Sequence, residues 1–288
     1  MIEARRTNLD EAVLLDVDSP GRPELRMEVA GRGLLLLRQA GAAILLAEVD
    51  PRYAGVDYVL TGQFRSPIPP IRAGSPKPPM AWAHYFASAL TETSTGPLHA
   101  GRWAISTTAT DIRADQVLPQ PRGGISWFGP AGGWEILPLR PLPSPTAARV
   151  KAYRKRTREG ALPPLLLWWI SGLDCHVLLD GHDRLAAALA EQQSPPLLAL
   201  SSISRPRATR NTQIWLDAHE RTTHHIERQA AAGSPGATDA LLTLNQQLAR
   251  DLQALETARG TTRAWPLPGG TAAWRHAHAL AAEGAGRR

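Results

Sequence analysis

The chain of 288 residues contains one cysteine, Cys175. No intrachain disulfide can form, which fits a reducing compartment and predicts a cytoplasmic protein. Long apolar runs are missing as well. The longest lie at residues 33–37, 40–47 and 165–170, and Arg38 and Gln39 interrupt the first two. Each falls far short of the roughly 20 residues that span a bilayer, so no membrane contact is expected. The first residues, Met-Ile-Glu-Ala-Arg-Arg, carry charge where a secretory leader needs its apolar core, which argues against one. No internal repeat of useful length is present. Nor is there a large excess of one charge: the net value of +6 permits contact with phosphates or nucleic acid without requiring it.

Apolar residues make up 43% of the chain and charged residues 20%, which is ordinary for a globular protein. The length allows one large or two modest domains. The pattern predicts an α+β protein in three parts: a β-rich region over 1–135, a small α/β domain over 136–203, and a helical extension over 204–288. In the first part, the apolar runs 34–37 and 42–49 around Ala40-Gly41 predict a hairpin, and Tyr58-Val59-Leu60 a short strand. Residues 66–79 hold so many prolines that only an extended loop is possible. A short helix is expected over 81–90, strands over 103–107 and 125–128, and a turn over 129–133.

The middle part is clearer. Ser144 and Pro145 are expected to open a helix, as N-cap and first helical residue. Ala147, Val150 and Tyr153 share one of its faces, and Gly160 stops it. A strand over 165–170, a turn, a strand over 175–179, a helix to about Gln192 and a strand over 197–200 complete the order. Trp168 and Trp169 must point to opposite faces, one into the core and one able to stack on a base or a neighbour. Beyond Ser201, helices are expected over 214–229, 240–258 and 271–282, with a frayed tail over 284–288.

The residues that carry chemistry are Asp180-Gly181-His182-Asp183-Arg184, where an apolar strand breaks into an alanine-rich helix. Such a turn leaves backbone N–H groups converging at a helix N-terminus, a ready anion site. Gly181 would let the backbone approach a phosphate, and Arg184 would grip its oxygens with two hydrogen bonds. Asp180 could hold Mg²⁺ or orient an attacking hydroxyl, and His182 could act as acid or base near neutral pH. The bland alternative is an ordinary Asp-Gly turn, with His182 or Asp183 capping the helix and Arg184 pairing with Glu191 or solvent.

The segment from about 136 to 200 resembles the ParB/sulfiredoxin-like superfamily. The likeness rests on a basic helix, a Pro-Pro-apolar strand, a hairpin and Leu-Asp-Gly-His-Asp-Arg-Leu-Ala-Ala-Ala. Asp180, Gly181, His182 and Arg184 are similar to an Asp-Gly-His-His-Arg form, and Gly181 with Arg184 matches a Gly-x-x-Arg phosphate motif. The resemblance implies a nucleotide (ATP, ADP or CTP) with Mg²⁺ at this turn, and a phosphotransferase or nucleotide hydrolase. On that reading Asp180 and His182 are catalytic, Asp180 is the metal ligand, and Gly181, Asp183 and Arg184 hold the nucleotide. His182 stands where sulfiredoxins place their reactive cysteine, which argues against sulfinic acid reduction. Asp183 replaces the second histidine.

Two other classes stay open. The helix carrying Arg149, Lys151, Arg154, Lys155, Arg156 and Arg158 could serve a nucleic-acid or nuclease module. The flanking regions could serve a non-catalytic protein-interaction module. His219-Glu220-Arg221-Thr222-Thr223-His224 has the wrong spacing for a zinc helix, since five residues rotate the second histidine away. His276 and His278 lie two apart and are expected at the surface.

Overall fold

The computed structural model describes residues 2–18, 21–31, 33–50, 52, 54–71, 77–107, 116–118, 120–127, 135–203, 210–231, 236, 238–245 and 260–285. The turn expected over 129–133 lies outside the described residues, as do 72–76 of the proline loop, 246–258 of an expected helix and 286–288 of the tail. Two compact units are present, Met1–Ser202 with Gly260–Arg288, and Ile203–Arg259.

The first unit mixes helices with two mixed sheets, the α+β class expected. One sheet contains β1 (Glu3–Asn8), β2 (Ala12–Asp18), β7 (Gly101–Thr107), β9 (Ile136–Pro138), β10 (Leu165–Ile170), β11 (Cys175–Asp180) and β12 (Leu197–Ile203). Their spatial order is β1-β2-β7-β12-β10-β11-β9. The other contains β3 (Arg26–Ala30), β4 (Leu34–Gln39), β5 (Ala42–Asp50), β6 (Gly55–Leu60), β8 (Arg122–Ser126) and β13 (Ala264–Pro266), ordered β13-β3-β4-β5-β6-β8. The β4–β5 hairpin is antiparallel, with Leu36 opposite Leu46, as its apolar runs predict. The strands of the expected 136–203 segment therefore share a sheet with β1, β2 and β7.

One large core holds Val13 and Leu15 of β2, Leu37 and Leu45 of the second sheet, and Trp103 of β7. Phe86 and Leu90 of helix α1 (Pro79–Glu92) join it. Two prolines start α1, since a missing N–H costs nothing in the first turn. Leu34, Leu36 and Leu46 use the opposite face of their sheet. There they pack on Trp274 and Ala281 of the C-terminal helix α6 (Gly270–Ala285). Trp274 also donates from Nε1 to the Leu35 carbonyl at 2.7 Å.

Strand β10, Leu-Leu-Leu-Trp-Trp-Ile, is buried along its whole length, as a strand covered on both faces must be. Leu166, Trp168 and Ile170 enter the large core. Leu165 and Leu167 face Leu185 of helix α3 (His182–Ala190). Both tryptophans are buried, so the free stacking surface expected of one of them is absent: Trp169 lies against His176 with ring centroids 5.1 Å apart.

Helix α2 (Ala148–Arg158) packs on α3 by setting Val150 and Tyr153 against Ala186, Ala187 and Ala188, whose small side chains allow close approach. It starts later than expected. Its N-cap is Ala147, and Ser144 closes a separate turn by accepting the Thr146 N–H at 3.2 Å. Gly160 ends it in the left-handed region at φ +64, and α3 stops at Ala190, before Gln192. Strand β8 likewise ends at Ser126, before Trp127, and Phe128 of the expected strand lies outside the described residues.

In the second unit, α4 covers Arg210–Ala231 and helix α5 includes residues 238–245. No helix among the described residues is long and apolar enough to cross a membrane.

Candidate anion-binding site

Strand β11 ends at Asp180, and Gly181 turns the chain at φ 107, ψ 23 into α3. That left-handed conformation favours glycine. Space demands it too: a Cβ here would come within 2.7 Å of Leu165 Cδ2 and 2.8 Å of Arg184 Nη2. The Gly181 carbonyl then accepts the Leu185 N–H at 2.8 Å, closing the first turn of α3.

Arg184 lies inward and is 2% exposed. Its Nη2 donates to Asp180 Oδ2 at 2.8 Å, and the guanidinium covers Gly181. Arg184 was expected to grip phosphate oxygens; here its Nη2 is held by the protein's own Asp180 carboxylate. Neither Glu191 nor solvent is its partner, because Glu191 accepts from Arg154 at 2.6 Å and Arg158 at 2.8 Å. Asp180 is engaged at both oxygens, since Oδ1 accepts from Ser66 Oγ at 2.8 Å. It is therefore poorly suited to hold Mg²⁺ as expected. Among the described residues, no group of three or more His, Cys, Asp or Glu could hold a metal ion.

His182 is 1% exposed and packs near the Phe64 ring, centroids 5.8 Å apart. Among the described residues, neither ring nitrogen has a hydrogen-bond partner, and neither does Arg184 Nε. Burial, then the charges of Arg140 and Arg184, holds the imidazole well below its ordinary pKa. It is neutral at pH 7 and shielded from solvent, so the acid–base role expected of it has no open path to a ligand. No side chain caps α3, so the capping alternative is corrected as well.

Loss of stability in acid is the expected signature of this histidine. Above the ordinary value of 6.5 the ring is neutral in both folded and unfolded chains. As the pH falls below it, only the unfolded chain takes the proton readily, so folding weakens until the depressed folded pKa is reached. Within that window the limiting slope is about 1.4 kcal/mol per pH unit. Urea melts of the wild type and His182→Phe at about pH 7.5 and pH 5 should differ by this contribution. An equal acid loss in both proteins would refute the assignment.

Asp183 sits in the first turn of α3, where a carboxylate suits the helix dipole. Two guanidiniums from outside the helix approach it. Arg149 Nε of α2 lies 3.5 Å away and Arg140 Nη2, after β9, lies 4.0 Å away. Their side chains are 53% and 40% exposed. Arg149 also lies over the Tyr153 ring, 5.9 Å from its centroid. Tyr85 of α1 borders the same cluster: burial, then the Asp180 carboxylate, pushes its phenol pKa up, against the pull of Arg184.

Tertiary structure therefore keeps the five predicted residues together and adds Ser66, Tyr85 and Arg140, which carry no local signal in the sequence. Arg149 was legible only as part of a basic helix. Three arginines of that helix are paired with acids of α3 and its C-cap: Arg149 with Asp183, and Arg154 and Arg158 with Glu191. The histidines of the C-terminal helices do not add to this cluster. His224 pairs along α4 with Glu227 at 3.2 Å, His278 stacks on Trp274, and His276 is exposed. Comparison of the chain with protein-family models, with curated proteins and with solved structures finds no match in any of the three.

Proposed function

We propose that the head of α3 binds a phosphorylated small molecule, with a nucleotide such as ATP, ADP or CTP as the first expectation. On this reading the chain is a ParB/sulfiredoxin-like phosphotransferase or nucleotide hydrolase. The observation that carries it is the pair Arg140 and Arg149. They come from two separate elements, converge on the first turn of a helix, and are held by Asp183 only loosely, at 4.0 and 3.5 Å. A phosphate can replace that loose partner and gain the helix dipole as well. The buried Asp180–Arg184 pair then frames the site from beneath, and Tyr153 and Tyr85 supply rings at its border. The donors fit a phosphate. They do not assemble a Mg²⁺ site from protein groups alone.

Calorimetry with ATP, ADP and CTP, with and without Mg²⁺, tests the reading. The double variant Arg140→Ala/Arg149→Ala is expected to weaken binding by roughly a hundredfold, at about 1.5–3 kcal/mol for each lost charged hydrogen bond with partial compensation. Because both side chains are half-exposed, the variant should keep its fold. Absence of heat and of thermal shift with all three nucleotides would end the proposal.

A second reading draws on a different observation. Asp180 bonds both Ser66 and Arg184, and the guanidinium is almost wholly buried, as in a structural knot. A non-catalytic interaction module would retain partner binding in the double arginine variant. The nucleic-acid reading is less favoured, because Asp183 of α3 and Glu191 at its C-cap pair with half of the basic residues of α2.

A further inference from the structure

We infer that Ser66 is a phosphoryl acceptor of this site, its hydroxyl held by Asp180 for attack on a bound nucleoside triphosphate. The inference rests on the nucleotide reading above and names the acceptor that reading leaves open.

The geometry around Ser66 Oγ is that of a positioned nucleophile. The hydroxyl lies 2.8 Å from Asp180 Oδ1. It accepts the Ile68 N–H at 3.1 Å, which fixes its direction. Its competing contact, to the Ile68 carbonyl, is longer at 3.3 Å. A hydroxyl oxygen has two lone pairs and one proton. With the proton on Asp180 and one lone pair on Ile68, the second lone pair stays available for bond formation. Pro67, Pro69 and Pro70 restrict the backbone around it, and Ser66 is only partly buried, which leaves the hydroxyl within reach of a ligand.

Asp180 is in turn held by Arg184, which lies on its other oxygen at 2.8 Å. Ser66, Asp180 and Arg184 thus stand as a nucleophile, a base and a group that orients the base. Ser66 is 114 residues from Asp180 in the chain. The contact therefore exists only because the loop after β6 folds over the end of β11.

The step balances without any further reactant. Ser66 Oγ attacks the terminal phosphorus of the triphosphate, and the Oγ–P bond forms. The bond from that phosphorus to the bridging oxygen breaks, releasing the nucleoside diphosphate. The hydroxyl proton passes to Asp180 Oδ1. The products are a phosphoserine and a diphosphate.

The test incubates the full chain with ATP or CTP and Mg²⁺, then maps phosphate by mass spectrometry of proteolytic peptides. One phosphate on Ser66 is the expected result. Ser66→Ala should abolish it, and Asp180→Asn should slow it by roughly a hundredfold or more. Thermal shift with nucleotide, read on both variants, verifies that each still folds and binds. Nucleotide bound or hydrolysed with no phosphate on Ser66 would overturn the inference and leave the nucleotide reading standing. No binding of any nucleotide would overturn both.

Discussion

Arg184→Ala is expected to destabilise the first compact unit by about 3 kcal/mol, near the lower end of what breaking a buried ion pair costs. The guanidinium is almost wholly removed from water and donates to Asp180 at 2.8 Å. Truncation leaves two defects. A cavity opens beside Leu165 and Gly181, which the guanidinium now fills. Asp180 also loses the guanidinium that is hydrogen-bonded to it, and keeps the Ser66 hydrogen bond. Water reaches the Asp180 side chain to a small extent, which limits the penalty and places the estimate low in its range. Urea denaturation checks the value, with Arg184→Met as control because it restores most of the volume without the charge. A loss below about 1 kcal/mol for Arg184→Ala would mean that the pair is no more than a surface contact. The same result bears on function. Lost ligand binding in Arg184→Ala says little about phosphate recognition unless folding is measured beside it, whereas Arg140 and Arg149 can be removed without that confusion.

Glu28→Ala carries an even larger expected cost, about 3–5 kcal/mol. Glu28 is 0% exposed, yet both of its oxygens are used. Arg26 donates from Nε to Oε1 at 2.8 Å, and Arg38 donates from Nε to Oε2 at 2.8 Å. The register explains why the carboxylate is needed. Arg26 and Arg38 stand directly opposite one another on β3 and β4, a pairing of like charges that destabilises a sheet. Glu28 lies two residues along on the same face and bridges them. Without it, two partly buried guanidiniums confront each other and lose the carboxylate that both are paired with. Thermal and urea melts of Glu28→Ala and Glu28→Gln provide the measurement. Replacing all three residues by apolar ones should recover much of the loss, because no charge is then left unpaired. If the single and triple variants were equally unstable, packing rather than charge would be the cause.

The two ion-paired centres differ in how far sequence patterns reveal them. The Arg26–Glu28–Arg38 group joins residues only two and ten positions apart, but no periodic pattern announces a charged residue in a buried strand face. Strands β1, β2 and β3 were covered only by the general expectation of a β-rich first half. The hairpin β4–β5 and the order α2, β10, β11, α3, β12 were legible, because apolar runs of strand length alternate there with proline, glycine and basic helical segments. Gly181 was legible for a related reason: an apolar strand cannot pass directly into a helix without a turn, and glycine takes the required left-handed backbone.

What the chain of residues determines by itself is thus local. It sets where strands break, where prolines forbid a helix, and that four polar residues around one glycine must cluster at the end of β11. Which way those residues face is decided elsewhere. Arg184 turns inward because Asp180 offers a charge and Leu165 an apolar wall. His182 is sealed in beside Phe64. Ser66 and Tyr85 reach the cluster from positions about a hundred residues away. Helical periodicity assigns a residue to a side of a helix, but the choice between solvent, ligand and an internal partner depends on what other elements bring to that side. Only the packing of the loop after β6, α1 and α2 around the head of α3 makes that choice.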